Sequence, residues 1–435
     1  MGQSYRQLGN AAVSGALALA VLAPTGEAAA DEVFDWNVTG FEASIAGGQN
    51  AVVLSRTAAM MHLAIHDALN AIDRRYQPYA YKERAEPSAA PAAAIATAAR
   101  DVLVDVIPAW GKPEQRSKAL TLVETAYTAD LAKLPNGPPM QQGIAIGQKV
   151  AAAILAARKA DGANAVTQYT AGAAPGKWRP HPNPVPANPM IADQLLAIGN
   201  WPAMLLTMAT PSQFRLSGPP ALTSADYARD YDEVKRLGGK NSAVRTAEQS
   251  EIARYWYEGS AQGWSRIARV MAAQSRLNQW ESARLMAVVN AAIADGFVAG
   301  FDTRYVYDFW RPVTAIRAAD TDGNDATVAD PAWESYLNTP PIPDYPSTHS
   351  VPGGAASAVL ARVFGGDQFP FQMTSGPPFA GITRSFKSFS HAAQENADSR
   401  VYAGIHFRSA CRDGIKLGDR IGQQAAAQYL QPYRD

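Results

Sequence analysis

Arg400 and His406 lie in one segment, DSRVYAGIHFRSA, whose spacing suits the binding of an anion. The two residues are six positions apart, with Gly404 between them. On one continuous helix, six residues would turn these side chains about 120° away from each other. Glycine tolerates a positive φ and often ends a helix, so the segment predicts Arg400 in a last helical turn and His406 beyond a bend. A guanidinium and an imidazole that converge in this way suit an anion.

A second segment, RYVYDFWRP, supplies two more arginines. Arg304 and Arg311 are seven residues apart, which on a helix is about two turns and places them on one face. Pro312 disfavours helical geometry at the residue before it, so the helix is predicted to kink or end at Arg311. Taken alone, this segment is better explained by two surface arginines paired with Asp302 and Asp308, because most arginines are solvated.

A third segment, PDYPSTHSVPGGAASAVLARVFGG, predicts the start of an alanine-rich helix. Ser347 stands at a favourable N-cap position, and His349 follows it in the first turn. The N–H groups at a helix N-terminus attract an anion, and His349 would add a proton donor there. Simple capping by Ser347 beside a partly exposed His349 explains this segment equally well.

Together, the three segments are more specific than any one of them. Their order and spacing, R-x6-RP, then PSxH, then SR-x3-G-x-H, resemble the signature of the vanadium-dependent haloperoxidases and the acid phosphatases that share their fold. Flanking stretches such as FDWNVTGFEA and PGKWRP resemble the exported bacterial haloperoxidase-like branch of that superfamily. The resemblance covers most of the chain beyond residue 30.

The resemblance implies a role for each matching position. His406 would be the axial ligand of vanadium, or the phosphate-accepting nucleophile of a phosphatase, and His349 would be the acid–base residue. The remaining positions would hold the oxyanion or polarise its ligands: Arg304, Arg311, Arg400, the hydroxyl of Ser347 and the backbone N–H of Thr348. Vanadate and phosphate are both tetrahedral oxyanions that arginine neutralises with planar, bidentate donors, so phosphate is expected to occupy the same site.

The sequence departs from the superfamily pattern at three of these positions. Arg304 stands where lysine is usual, and Thr348 stands where glycine is usual. Ala410 occupies the position, four residues after His406, where aspartate is common. Asp413 is the nearest downstream carboxylate, and we predict that it orients the His406 ring from the next helical turn.

Three functions follow from this interpretation. The first is a vanadium-dependent haloperoxidase that oxidises halide with hydrogen peroxide at a histidine-ligated vanadate. The alternative is a secreted acid phosphatase that uses a phosphohistidine intermediate, and the third is a non-enzymatic oxyanion binder. The expected partners are small molecules: hydrogen peroxide and halide, or a phosphate ester.

The elements that must position these residues are predicted to be helices. Stretches such as AVVLSRTAAMMHLAIHDALNAIDRRY carry apolar residues at i, i+3 and i+4, and alanine is abundant. No run of alternating β-branched residues indicates a large sheet. The sequence therefore predicts an all-α protein whose helical bundles pack around a central oxyanion-binding cleft. A proline-rich stretch at 174–189 is a predicted crossing between two helical halves. The predicted regions of the chain are an N-terminal helical region, 31–240, and a C-terminal helical region, 241–435, which carries the site motifs.

Residues 1–30 have the pattern of a signal peptide. Arg6 precedes a short apolar run, Ala11 to Ala23, and Ala28 to Ala30 offer a small-residue cleavage site. The apolar run is shorter than the ~20 residues that span a bilayer. We therefore expect an exported protein without stable membrane insertion, and no later segment is predicted to span.

Composition excludes other classes of function. The 435 residues have a formal net charge of +0, which lacks the basic stripe of a nucleic-acid-binding protein. Cys411 is the only cysteine, so a disulfide within the chain and a cysteine-based metal cluster are excluded. His62 and His66 have the i, i+4 spacing of metal ligands, but packing of a core helix is favoured for them. Nothing in the composition excludes a homo-oligomer, which is therefore kept as an expected partner state.

Overall fold

The computed structural model describes residues 31–162, 170–181 and 211–433, and these residues are mainly helical. The all-α prediction is confirmed, since helices make up 62% and strands 4% of the structure. The predicted signal peptide and residues 182–189 of the predicted crossing lie outside the described residues.

Five helices form the first half of the described chain. They are α1 Glu32–Ala46, α2 Ala51–Ile72, α3 Pro91–Val106, α4 Pro113–Ala132 and α5 Pro138–Arg158. Three of them begin with proline, whose missing N–H and preset φ suit the first helical position. Helix α2 is instead capped by Asn50, whose side chain accepts hydrogen bonds from the N–H groups of Val52 and Val53. It is buried along nearly its whole length, so it is the central helix of this half.

The second half contains the helices that carry the site motifs. They are α6 Ala225–Gly238, α7 Ala247–Tyr255, α8 Ser260–Gln274, α9 Gln279–Tyr307, α10 Pro312–Arg317, α11 Ser350–Val363, α12 Phe389–Tyr402 and α13 Arg408–Gln428. Between α11 and α12, the strands β1 Phe371–Thr374 and β2 Thr383–Phe386 form an antiparallel hairpin. In the part of the chain that the structure describes, this hairpin is the only sheet.

Helix α9 joins the two halves. It packs against α2 on one side and against α11 on the other. The largest buried cluster accordingly includes residues from both sides of position 240, such as Leu63 of α2 and Val289 of α9. The two predicted regions therefore share one core, and the boundary at 240 stays a prediction.

Helix α9 corrects the expectation that no segment after residue 30 could span a membrane. By length and composition, Gln279–Tyr307 meets the requirements of a spanning helix, but 94% of its most apolar window is buried inside the protein. The sequence reading overlooked this helix because the core helix of a large bundle and a membrane-spanning helix have the same apolar composition.

Close contact between α11 and α13 depends on glycines. A Cβ atom added at Gly418 of α13 would collide with the carbonyl oxygen of Val351, and one added at Gly422 would collide with that of Ala355. The two helices therefore pack backbone against backbone. This contact holds the N-termini of α11 and α13, where His349 and His406 lie, beside each other.

We expect Gly418→Ala to lower the free energy of unfolding by about 1–3 kcal/mol, the usual cost of overpacking a core. The added methyl group has no space, because it meets backbone rather than a flexible side chain. Gly366→Ala is the control, since its Cβ would approach only the Phe369 ring, at 4.0 Å. Urea unfolding measures both variants, and equal stability of the two would contradict this account of the helix contact.

Candidate active site

The bend at Gly404 forms as the sequence predicts. Gly404 has a φ of +79°, and its N–H donates to the carbonyl of Val401 at 2.9 Å. The N–H of Ile405 donates to the carbonyl of Arg400 at 3.1 Å. This pair of bonds is a Schellman motif, which ends α12 and turns the chain back. Arg400 therefore lies in the last turn of α12, and His406 lies just beyond the bend.

The three arginines of the motif segments are buried around His406. Arg304, Arg311 and Arg400 are 0%, 1% and 1% exposed, and His406 is 1% exposed. Burial first, and then the positive charges of these three arginines, hold the pKa of His406 well below its usual range. The structure thus brings together side chains from three distant segments, as the sequence predicts.

Arg311 makes the closest contact with His406. Its Nη1 lies 3.0 Å from Nε2 and 3.4 Å from Nδ1 of His406. Its Nε donates to the carbonyl of Ile342 at 2.7 Å, and Nη1 also donates to the carbonyl of Ile405 at 2.7 Å. Its Nη2 is buried and has no hydrogen-bond partner in the described protein. Burial lowers the pKa of Arg311 to about 10.

Arg304 is held by the loop that precedes α11. Its Nη1 and Nη2 donate to the carbonyls of Pro343 and Pro346, and its Nε is buried with no hydrogen-bond partner in the described part of the chain. Burial, and then the positive charge of Arg311, hold the pKa of Arg304 well below its usual range. The predicted helical face shared by Arg304 and Arg311 is wrong, because α9 ends at Tyr307 and Arg311 lies beyond a turn.

The alternative of solvated arginines paired with neighbouring aspartates is also wrong. Asp302 forms an ion pair with Arg215 at 2.8 Å rather than with Arg304. Within residues 31–162, 170–181 and 211–433, Arg400 has no carboxylate partner. Surface ion pairing therefore does not explain why these guanidinium groups are buried.

A short segment after α7 holds both Arg400 and His349. The carbonyl of Trp256 accepts a hydrogen bond from Arg400 Nη2 at 2.7 Å, and the carbonyl of Glu258 lies 3.1 Å from His349 Nε2. A carbonyl only accepts, so Nε2 of His349 carries the proton and Nδ1 is left with a lone pair. Sequence reasoning missed this segment, because a backbone carbonyl leaves no signal in residue type.

His349 is partly exposed, unlike the other predicted site residues except Thr348. Desolvation, and then the positive charge of Arg400, hold the pKa of its imidazole well below the usual range. In the neutral form, its Nδ1 lone pair is available to accept a proton. The site therefore combines a buried histidine with a second histidine that reaches the surface.

Ser347 and Thr348 lie just before α11, which begins one residue after His349. The structure places the N-cap at His349, so the prediction of Ser347 as the N-cap is wrong. Ser347 still satisfies a free donor of this terminus, because its Oγ accepts from the N–H of Ser350 at 3.3 Å. Ser347 is fully buried and Thr348 is partly exposed.

The carboxylate beside His406 is Asp344, and the prediction for Asp413 is wrong. Oδ1 of Asp344 lies 2.8 Å from His406 Nδ1. Asp413 instead interacts with Arg412, with Lys416 and with the hydroxyl of Tyr345. Burial raises the pKa of Asp344 to about 7, against the opposing attraction of Arg311 and Arg304.

The charges of this cluster fit an oxyanion. Three buried guanidinium groups face a single carboxylate, Asp344, so the cluster carries excess positive charge in a region where unpaired charge is costly. The buried Nη2 of Arg311 and Nε of Arg304 are N–H donors that have no partner among the residues that the structure describes. A tetrahedral, multiply charged anion such as vanadate or phosphate would supply both the missing charge and the missing acceptors.

The other histidine candidates are core residues. His62 is fully buried, with Nε2 2.7 Å from Asn37 Nδ2, and burial lowers its pKa to about 3. Nδ1 of His66 lies 3.0 Å from Asp67, whose carboxylate also accepts from the backbone of Tyr79. No cluster of three or more potential metal-ligating His, Cys, Asp or Glu side chains occurs among the residues that the structure describes.

Comparison with known proteins finds similarity to vanadium haloperoxidases. Residues 284–435 match the family described as the VCPO second helical-bundle domain. Vanadium chloroperoxidase from Curvularia inaequalis is 28% identical over 277 residues, and the match covers 47% of this chain. The crystal structure of the first bacterial vanadium-dependent iodoperoxidase superposes with a TM-score of 0.79 at 26% identity, covering 93% of this chain and 97% of that one.

The chain belongs to the vanadium haloperoxidase and acid phosphatase superfamily. The match spans 45% of the Curvularia enzyme, so less than half of that relative is represented. A holo-type bacterial vanadium-dependent chloroperoxidase, at 19% identity and a TM-score of 0.69, shares the fold, with 87% of this chain and 91% of that one covered. The relatives differ in the halide that they are named for, so superfamily membership leaves the reaction of this chain to be proposed.

Proposed function

We propose that this protein is a vanadium-dependent haloperoxidase, which oxidises halide with hydrogen peroxide at a vanadate held by His406. The observation that carries the proposal is the convergence of three buried guanidinium groups and one carboxylate on a single buried imidazole. This arrangement favours a bound oxyanion over an empty cleft because it leaves positive charge and N–H donors uncompensated.

Each residue of the cluster would have a separate role in this reaction. The contact of Asp344 with Nδ1 favours an unprotonated Nε2 on His406, and this nitrogen would ligate vanadium. Arg311, Arg400 and Ser347 would bind the oxygens, and Nδ1 of His349 would accept and return a proton at the partly exposed side. Vanadate bound there would supply a Lewis-acidic centre that activates hydrogen peroxide toward attack by halide.

A halogenation assay tests this proposal directly. Protein loaded with orthovanadate is mixed with hydrogen peroxide, a phenolic dye and either iodide, bromide or chloride. We expect halogenation of the dye to depend on vanadate, with a molar equivalent sufficient for full activity. Absence of halogenation with all three halides, in protein shown by calorimetry to bind vanadate, would contradict the proposal.

A secreted acid phosphatase is the second candidate, and one observation favours it. The carboxylate of Asp344 lies 2.8 Å from Nδ1 of His406, as a nucleophilic imidazole requires of its orienting group. The absence of aspartate at position 410 therefore does not count against this reaction. Rapid hydrolysis of p-nitrophenyl phosphate, inhibited by vanadate and unaccompanied by halogenation, would favour the phosphatase.

Arg304→Lys is expected to raise peroxidase activity while leaving oxyanion affinity within about tenfold, ~1.4 kcal/mol. A lysine ammonium is more compact than a guanidinium and concentrates its charge at one point, so it would polarise a neighbouring oxygen more strongly. Arg304→Met is the control that removes the charge, and we expect it to lower oxyanion affinity. Halogenation rates and phosphate titrations measure the variants, and a lower peroxidase rate in Arg304→Lys would show that arginine is the better residue here.

We also propose that the protein is exported through residues 1–30. The small residues Ala28 to Ala30 precede Asp31, the N-cap of the first described helix, so cleavage after Ala30 would leave α1 intact. N-terminal sequencing of protein recovered from outside the cytoplasm tests this. A mature chain that still begins at residue 1 would contradict it.

A further inference from the structure

The His406 ring contacts both a carboxylate and a guanidinium. Nδ1 is 2.8 Å from Asp344 Oδ1, and Arg311 Nη1 is 3.0 Å from Nε2 and 3.4 Å from Nδ1. A neutral imidazole carries one proton, and a carboxylate accepts but does not donate. The contact with Asp344 therefore favours the tautomer with the proton on Nδ1 and the lone pair on Nε2.

Asp344 is buried beside the His406 ring. It is 0% exposed, and Nδ1 of His406 lies 2.8 Å from its Oδ1, although neither carboxylate oxygen has a hydrogen bond of regular geometry among the described residues. Arg311 Nη1 is the nearest charged group, at 3.7 Å from Oδ1. Burying a carboxylate is costly unless other groups compensate it, and the imidazole, the guanidinium groups and the backbone of Phe407 are the groups that do so here.

The loop that carries Asp344 is fixed at three points. Its own N–H donates to the carbonyl of Phe309 at 2.8 Å. The carbonyls of Pro343 and Pro346, on either side, accept from the two terminal nitrogens of Arg304. Arg304 therefore holds the backbone on both sides of Asp344, which fixes the point from which the carboxylate reaches the cluster.

We propose that Asp344 is the positioning residue of the site: it holds the proton of His406 on Nδ1 so that Nε2 presents its lone pair to the bound oxyanion. The inference rests on the proposed function for the identity of the ligand. It assigns to a residue 62 positions before His406 in the sequence the orienting role that the sequence suggested for Asp413.

The test measures the tautomer and the oxyanion affinity separately. Protein labelled with 15N-histidine is observed by long-range 1H–15N correlation without ligand, and the His406 ring is assigned from its absence in His406→Gln. We expect wild type to show the Nδ1–H tautomer, although Nε2–H is the more common form in free histidine. Orthovanadate and inorganic phosphate are then titrated by calorimetry.

In Asp344→Ala, we expect the Nδ1–H form to lose its predominance and the affinity for both oxyanions to fall about 10- to 100-fold. Asp344→Asn keeps an oxygen that accepts from Nδ1, so we expect it to retain more of both properties than alanine does. Asp413→Asn is the matched control, and it should leave the tautomer and the affinity unchanged. Near-ultraviolet circular dichroism confirms that each variant is folded.

Two results would overturn the inference. One is a His406 ring that is protonated on Nε2 in the wild type, and the other is an Asp344→Ala variant that keeps both the Nδ1–H form and an affinity within threefold of wild type. Failure of the wild type to bind either oxyanion would count against the proposed function instead. The tautomer of the ligand-free protein would still test Asp344.

Discussion

Replacing His406 by alanine is expected to lower vanadate-dependent halogenation by about 10³-fold or more, at or beyond the upper limit seen when a donor to a reacting group is removed. The reason is that Nε2 of His406 would supply the ligating lone pair, and it lies within the cluster of buried arginines. No other described histidine has a ring in this position, since His349 reaches the cluster from its exposed side.

The same variant tests both candidate reactions. A phosphatase would lose its nucleophile in His406→Ala, so hydrolysis of p-nitrophenyl phosphate should fall to a similar extent if that reaction is the true one. His391→Ala is the matched control, because His391 lies exposed at the start of α12, where its Nδ1 accepts from the N–H of Lys387 at 3.3 Å. Activity of His406→Ala within tenfold of wild type would show that the chemistry occurs elsewhere.

Arg400→Met is expected to have opposite effects on oxyanion binding and on the stability of the ligand-free protein. We expect the affinity for phosphate or vanadate to fall roughly 10²-fold, about 2.7 kcal/mol, because a buried charged donor is lost. In the absence of an oxyanion, the melting temperature should stay the same or rise. Burial, and then the charge of Arg311, already lower the pKa of Arg400 to about 10, so removing this cation relieves an unfavourable charge.

Thermal unfolding with and without phosphate separates these two effects. Saturating phosphate should stabilise the wild type, because it binds the folded state alone, and should stabilise Arg400→Met far less at the same concentration. Arg412→Met is the control, since Arg412 is largely exposed and interacts with Asp413. A large loss of stability in ligand-free Arg400→Met, with oxyanion affinity unchanged, would identify Arg400 as a structural residue instead.

The predictions that the structure corrects failed for one reason: residue type alone does not fix where a helix ends or what packs around it. Arg304 and Arg311 were expected on one helical face, but Asp308 adopts a left-handed conformation, with a φ of 52°, that ends α9 and redirects the chain before Arg311. Aspartate tolerates this conformation better than most residues, yet an aspartate in the sequence does not by itself predict a left-handed conformation. Likewise, α9 was not foreseen as the shared core of both halves, because composition alone does not tell what surrounds an apolar helix.

The sequence by itself determined the features that depend on near neighbours along the chain. These are the helical periodicity, the bend at Gly404 that separates Arg400 from His406, and the spacing of three motifs that together resemble one superfamily. Such features are predictable because hydrogen bonds three to five residues apart and the φ preferences of glycine act locally.

Only the tertiary structure decided which groups face the imidazole and the guanidinium groups. Asp344, rather than Asp413, lies beside His406, and carbonyls of Trp256, Glu258 and Ile342 hold the catalytic candidates in place. Every residue type carries the same backbone carbonyl, so these partners leave no trace in the sequence. The choice of carboxylate likewise depended on the loop before α11, which the carbonyl of Phe309 and the side chain of Arg304 hold beside His406 although both lie far from that histidine in the sequence.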